Sequence, residues 1–491
     1  MSQPREPLRR IVVVGSGPVG LLTAIGLRRA LPQCEVVVAT TIPAPSSFAD
    51  YAATALPFTN KLHDRLGIDE AALVRSAGAS HRLVTRYIGW SGQGTQGMMP
   101  YGGTGDPALQ TRFAQDWGGG PRNAGGERPA GSLAEVLAQA GRFAPPPPDE
   151  DTPLAQVEYA LRWNPHAYRE MLIAIAQQLR IGRVPGDIAA LEPDERGGLA
   201  AIAIAGQGRL EADLFVDCSG AGALLASALP EFSVVDWGDV LPVRRLLVAP
   251  RGQAMVALED RVSLLEQGWL CEFAGRDGLQ TTLAVGEGVP DDAAIAALGQ
   301  RPAAVIPVVP ARIAKAWQGN VIAIGDATAQ FEPLGFLNLD LAHRQIDLLL
   351  EMLPGRDILA LERAEFNRRA GLMLDGVRDT LALHYAAPRA RDVFGQTAMP
   401  ASVETALDQF TRRGRLPFQE ESALLRQETT ALLEALGHQR GLAPQHLDTD
   451  PQQVEAAQAA FDDRARAALA FAPPYAQWME SVTRAAAMPS V

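Results

Sequence analysis

The chain is expected to adopt an α/β fold in which a β-rich part is interleaved and the C-terminal region is helical. Three observations predict this. A β-branched run at residues 11–14 enters the loop Gly15-Ser16-Gly17-Pro18-Val19-Gly20. Helical apolar spacing over 21–31 and a second strand at 35–38 complete a β-α-β opening. A later strand, 320–324, ends in Gly325-Asp326-Ala327, after which the chain reads as helix almost to its end.

The elements follow in order. Residues 91–131 are rich in Gly, Gln, Thr and Pro and are expected to be mostly loop. Residues 144–153 carry four consecutive prolines with acidic neighbours, and proline neither donates to a ladder nor sits inside a helix. An amphipathic helix is expected at 168–180, then short strands at 187–191, 200–205 and 213–217. The pattern is β-like from about 243 to 285. Breaks at Pro354-Gly355, Ala387-Pro388 and 414–417 divide the helical end. Two regions result: 1–355, α/β with the interleaved β-rich part, and 356–491, a helical substrate or cap region.

Composition narrows the function. The 491 residues carry 44 Lys+Arg against 56 Asp+Glu, a formal charge of −12. The pI near 5.2 argues against a partner held by its phosphate backbone, so no nucleic acid is expected. Three cysteines, Cys34, Cys218 and Cys271, have neither zinc nor disulfide-framework spacing. No metal site is expected, and a reducing, cytoplasmic setting suits the set. No uninterrupted apolar stretch approaches the ~20 residues of a membrane span. The polar, basic first ten residues run straight into a strand, which leaves no room for a signal peptide. Only Lys61 and Lys315 are lysines, so any chemistry that needs one has two candidates.

The glycine loop carries the first chemical signal. Glycines let the backbone turn tightly and approach a pyrophosphate, while the helix N-terminus offers free N–H groups and a positive dipole end. Gly15, Gly17 and Gly20, with Pro18 opening the helix, are the expected contacts. An acid is expected about 20 residues on for the ribose, but the second strand ends Val38-Ala39-Thr40-Thr41. Glu35 lies too early, so Thr40 or Thr41 would give a weaker hydroxyl contact and dinucleotide affinity is expected to fall. Gly325-Asp326-Ala327 after a strand resembles the second signature of FAD-dependent monooxygenase-type folds, with Asp326 at a sugar or ribityl hydroxyl. Asp213-Leu214-Phe215-Val216-Asp217-Cys218-Ser219-Gly220 resembles a third landmark. Together they favour FAD over NAD and an FAD-binding Rossmann-like domain of the glutathione-reductase type.

These residues resemble the flavin-dependent tryptophan halogenases, within the flavin monooxygenase superfamily, along nearly the whole chain. Ala79-Ser80-His81-Arg82-Leu83 is similar to the family's A-S-F-K-L, and residues 213–220 to its D-L-F-I-D-C-S-G. Gly268-Trp269-Leu270 stands where W-x-W-x-I-P begins. Phe331-Glu332-Pro333-Leu334 resembles F-x-E/D-P-L. Phe366-Asn367-Arg368 and Val377-Arg378-Asp379 with Leu383-His384-Tyr385 resemble E-Y-N-R and I-R-D-F-I-x-L-H-Y. The resemblance implies an oxidoreductase using FAD reduced by a separate flavin reductase, together with oxygen, on a small aromatic, indole-like substrate. In the family, hypohalous acid formed at the flavin passes to a lysine beside that substrate. The resemblance also implies adenine contact through the backbone of Val184, and Leu334 and Gly335 at the flavin ring. A homodimer is compatible with it.

The resemblance fails at the halogen chemistry. Arg82 stands at the catalytic lysine. Gly335 stands at the glutamate of P-L-E-S-T-G, and Leu337 and Asn338 at the Thr-Gly pair that frames the halide. A guanidinium stays protonated and makes a poor halogen carrier, whereas a buried lysine can deliver a neutral amine. Three readings follow: a flavoenzyme of this family with altered or lost halogenase activity, an inactive halogenase-like paralogue serving as a binding or scaffold subunit, and an NAD-dependent dehydrogenase. Gly325-Asp326-Ala327 counts against the last.

Overall fold

The computed structural model describes residues 5–102, 132–147, 150–441 and 451–487. The first strand, Arg10–Val14, is buried along its β-branched residues and lies at the centre of a six-stranded sheet. It pairs in parallel with Glu35–Thr40 on one side and Leu214–Asp217 on the other. Val321–Ala323 extends the sheet beyond Leu214–Asp217, and Gly182–Pro185 extends it beyond Glu35–Thr40. Strands buried on both faces read as continuous apolar runs, which is why residues 11–14 and 35–38 are legible.

The helix Pro18–Ala30 covers this sheet. Its residues from Pro18 to Leu27 are all buried. Gly26 gives it close contact with the later helix Leu337–Glu351, where an added Cβ would meet Leu350 at 3.2 Å. A parallel sheet brings the C-terminal ends of its strands to one edge, and that edge is the usual ligand crevice of such folds. Here the edge collects the glycine loop, Cys218-Ser219-Gly220 and Gly325–Ala327.

The β-rich part is a seven-stranded sheet, in order Ala304–Pro307, Val243–Val248, Gln280–Gly286, Gly268–Phe273, Glu259–Leu264, Val84–Ile88 and Gln96–Pro100. Its pairs are antiparallel except Glu259–Leu264 with Val84–Ile88. It draws strands from both before and after the third strand of the first sheet, so it is interleaved as expected. Gln96–Pro100 corrects the loop expected there: its ladder with Val84–Ile88 pairs Thr85 with Met99 and Val84 with Pro100. Residues 103–131 of that loop lie outside the described residues, as do 148 and 149 of the proline-rich stretch.

After Gly335 the chain forms Leu337–Glu351, Ala360–Tyr385, Pro388–Phe394, Ala401–Arg413, Arg426–Ala435, Pro451–Phe471 and Tyr475–Ala487. The expected breaks account for three of the gaps, after Glu351, Tyr385 and Arg413; those after Phe394, Ala435 and Phe471 were not expected. One apolar cluster runs from Leu8 to Met479 and joins most of these helices to both sheets, while Ala401–Arg413 packs in a separate cluster with Ala382, Leu383 and Leu433. Among the described residues no helix is long and apolar enough to cross a membrane, and no His, Cys, Asp and Glu cluster could hold a metal ion.

Candidate functional site

The crevice is built from the first strand upward. Gly15 takes a φ of +130°, and its N–H donates to the Ala39 carbonyl at 3.0 Å, closing the turn against the second strand. An added Cβ would lie 2.1 Å from the Cys218 carbonyl oxygen, and one on Gly20 2.2 Å from that of Gly15. Neither position tolerates a side chain. Pro18 opens the helix with no acid in the first turn, so the dipole end lacks a local counter-charge.

The acid comes from elsewhere. Asp50 places its carboxylate over Gly17, where an added Cβ would lie 2.2 Å from Asp50 Cγ. The Val19 N–H donates to Asp50 Oδ1 at 3.0 Å. Burial pushes this carboxyl up to about 7, against the hydrogen bond from Val19 and the Arg169 guanidinium. Arg169 itself donates to the Ser16 carbonyl at 2.7 Å. Asp326 follows the strand Val321–Ala323, and the Ala49 N–H donates to its Oδ2 at 2.7 Å. Burial raises Asp326 well above the carboxylate range, and the nearby Asp50 raises it further. At the third turn an added Cβ on Gly220 would meet Ser47 Oγ at 2.0 Å. The Asp217 carboxylate there accepts from Ser219, Leu225 and Ala226.

The expected adenosine end is more open. Thr40 is half-buried, and its Oγ1 donates to the Val184 carbonyl at 3.4 Å. Ala39 pairs in register with Val184. A cavity of about 500 Å³ beside them is lined by Thr41, Ile42, Asp187, Ile188, Leu191 and Leu224. At the other end, Leu334 and Gly335 are buried in a short turn, with Gly335 at φ +71° and Phe336, a non-glycine, at +65°. Leu337 and Asn338 are buried as well, and Asn338 donates to the Phe331 carbonyl at 3.0 Å.

Arg82 ends the strand Ser80–Arg82 with no exposed surface. Its Nη1 donates to Asp260 Oδ2 at 3.3 Å and its Nη2 to the Ala55 carbonyl at 2.9 Å. Its Cζ lies 4.0 Å from the Phe336 ring centroid and 5.0 Å from that of Tyr101. Asp260 is shared: Arg162 donates to its Oδ1 at 2.7 Å and the Ala274 N–H at 3.2 Å. Arg82 is thus one cation of a buried Arg–Asp–Arg set sandwiched between aromatic rings.

The comparisons with known proteins decide the family. A family profile described as tryptophan halogenase matches residues 10–452. The chain belongs to the tryptophan halogenase family. It is 26% identical to the tryptophan 7-halogenase KtzQ of Kutzneria sp. (strain 744), over 78% of this chain and 77% of that protein. It is 28% identical to the uncharacterized protein y4xG of Sinorhizobium fredii, over 78% of each. Among solved structures, BrvH, a flavin-dependent halogenase from Brevundimonas sp. BAL3, superposes with a TM-score of 0.85 at 25% identity, covering 97% of this chain and 99% of that one.

Flavin-dependent halogenases of this family use FAD reduced by a separate flavin reductase and act on an aromatic substrate. In this structure residues 47–50 lie across the crevice that the glycine loop, the Gly220 turn and Asp326 form. Gly15, Gly17, Gly20, Asp326, Leu334 and Gly335 are all buried; Asp50 lies over Gly17, Ser47 over Gly220, and the Ala49 N–H donates to Asp326. Asp50 and Asp260 were not legible as site residues. Asp50 follows a Pro- and Ser-rich stretch, and Asp260 is one acid in a charged strand; neither lies in a motif.

The remaining landmarks are packed in the core. Trp269 Nε1 donates to Tyr385 Oη at 3.2 Å, and Tyr385 donates to Glu332 Oε1 at 2.5 Å. Burial pushes Glu332 up to about 7. His384 Nδ1 donates to the Thr380 carbonyl at 3.0 Å, its Nε2 shares a hydrogen bond with Tyr87 Oη at 3.1 Å, and burial lowers it to about 4. Lys61 is exposed on the helix Phe58–Arg65, and Lys315 pairs with Glu231. Neither belongs to the Arg82 set.

Proposed function

We propose that this member of the tryptophan halogenase family does not transfer halogen, and that the form described here works as a halogenase-like binding subunit. The observation that carries this is Arg82. A residue that relays hypohalous acid must face the substrate and exchange a proton. Arg82 faces Asp260, the Ala55 carbonyl and two rings, with no exposed surface. A guanidinium also holds its proton across the working pH range. The bulk of Leu337 and Asn338, both buried, leaves the proposed halide frame packed.

A second reading keeps an enzyme: reduced flavin and oxygen acting on an indole-like aromatic without halide. It is favoured by the glycine loop, the Gly220 turn and Asp326, which the fold brings together at one sheet edge. One assay separates these readings. Protein, flavin reductase, FAD, oxygen and bromide are incubated with tryptophan or indole, and products are read by mass spectrometry. No brominated product is expected from the wild type or from Arg82→Lys. A brominated product from either sinks the proposal, and a hydroxylated one selects the second reading.

A further inference from the structure

Three strand-end turns converge on the segment 47–50. Gly17 lies under the Asp50 carboxylate, Gly220 lies under Ser47 Oγ, and Asp326 accepts the Ala49 N–H. These are the turns at which the sequence places a dinucleotide. Their contacts are those a cofactor would make: an anion at a helix N-terminus, a close approach over glycine, and a partner for an aspartate hydrogen bond. We propose that residues 47–50 are a resident occupant of the dinucleotide crevice, with Asp50 standing in for a phosphate, so that FAD binds only by displacing them.

The chemistry makes the occupant strong enough to hold and weak enough to yield. A helix N-terminus favours a negative group through its free N–H groups and dipole. Asp50 supplies one carboxylate and uses one N–H, that of Val19. A pyrophosphate carries more charge and more acceptor oxygens, so it is the better ligand for the same end. The groups facing Asp50 are Asp326 and Arg169, with Cys218 close by. Burial pushes both carboxyls up, and Asp50 raises Asp326 further, so the seated carboxylate is held less firmly than a fully hydrogen-bonded anion would be. The fold holds it there through the Val19 and Ala49 bonds and the burial of Phe48. This inference concerns flavin entry and is independent of whether halogen is transferred.

The test measures binding of oxidised FAD by fluorescence quenching, with hydrogen exchange at residues 44–55 read in parallel. Removing the stand-in frees the Val19 N–H and lowers the population of the occupied form. Asp50→Ala is therefore expected to bind FAD about tenfold more tightly than wild type, or better, since apparent affinity scales with the competent fraction. In the wild type, the Ala49 and Asp50 amides should exchange slowly without FAD and faster as FAD is added. The proposal is overturned if Asp50→Ala binds FAD no more tightly than wild type, including the case where neither binds. It is equally overturned if those wild-type amides stay protected while FAD saturates the protein. The exchange experiment needs no variant, so it decides the matter even if Asp50→Ala does not fold.

Discussion

Replacing Asp260 by Asn should destabilise this protein more than the conservative change Arg82→Lys. Asp260 carries no exposed side-chain surface and answers two guanidiniums, Arg162 at 2.7 Å and Arg82 at 3.3 Å, plus the Ala274 N–H at 3.2 Å. Asn can keep its oxygen toward Arg162 and Ala274, the pair that shares Oδ1. Its amide NH2 then faces Arg82 Nη1, donor against donor. Two buried cations lose their common anion, and removing one partner of a buried pair costs about 3–5 kcal/mol. Arg82→Lys costs less, about 2 kcal/mol, because the cation and its aromatic sandwich survive while one hydrogen bond to a charged group is lost. Chemical denaturation followed by tryptophan fluorescence reads both. A double variant with Arg82→Met should recover on the order of 1–3 kcal/mol relative to additivity, since the unpaired cation is gone. If Asp260→Asn is neutral, or the two changes add, the buried charge set is not what holds Arg82.

Other outcomes follow from the same geometry. Burial holds Glu332 and Asp50 up at about 7, so the folded state binds more protons than the unfolded one between the ordinary carboxylate range and that value. Stability should therefore fall as pH rises through this window. Glu332→Gln should flatten part of the fall in denaturation midpoints between pH 5 and 8; an unchanged slope would show that Glu332 is not the titrating group. At Gly335, an added Cβ would find ordinary contacts, the nearest being Leu337 at 3.6 Å, but the φ is +71°. Gly335→Ala should cost about 1–2 kcal/mol through backbone strain alone. A cost well above this would mean that the turn also repacks.

The glycine loop and the Gly-Asp-Ala strand end were legible because each is local. A strand, a turn and a helix within 30 residues specify one another through periodicity and turn chemistry, and the structure places them at one edge. The missing ribose acid was legible for the same reason: Thr40 ends its strand, and Glu35 sits at the other end beside Arg10. The strand Gln96–Pro100 was not legible, because Gly97 and Pro100 argue against a strand until Val84–Ile88 supplies the ladder. Asp50 carried no signal either, since nothing near it in the chain shows that its carboxylate lies on Gly17.

The β-α-β opening, the strand that ends in Gly-Asp-Ala, the helical C-terminal region, the family, and the Arg at residue 82 were legible in the sequence. What Arg82 does was decided by tertiary structure. Its anion lies 178 residues away at Asp260, and one of its rings comes from Phe336, at the start of another helix. A buried guanidinium is defined by whatever neutralises and encloses it, and those groups meet only when the chain has folded. The crevice obeys the same rule. Glycines make room for a close approach, but only packing settles that the approaching group is the protein's own Asp50.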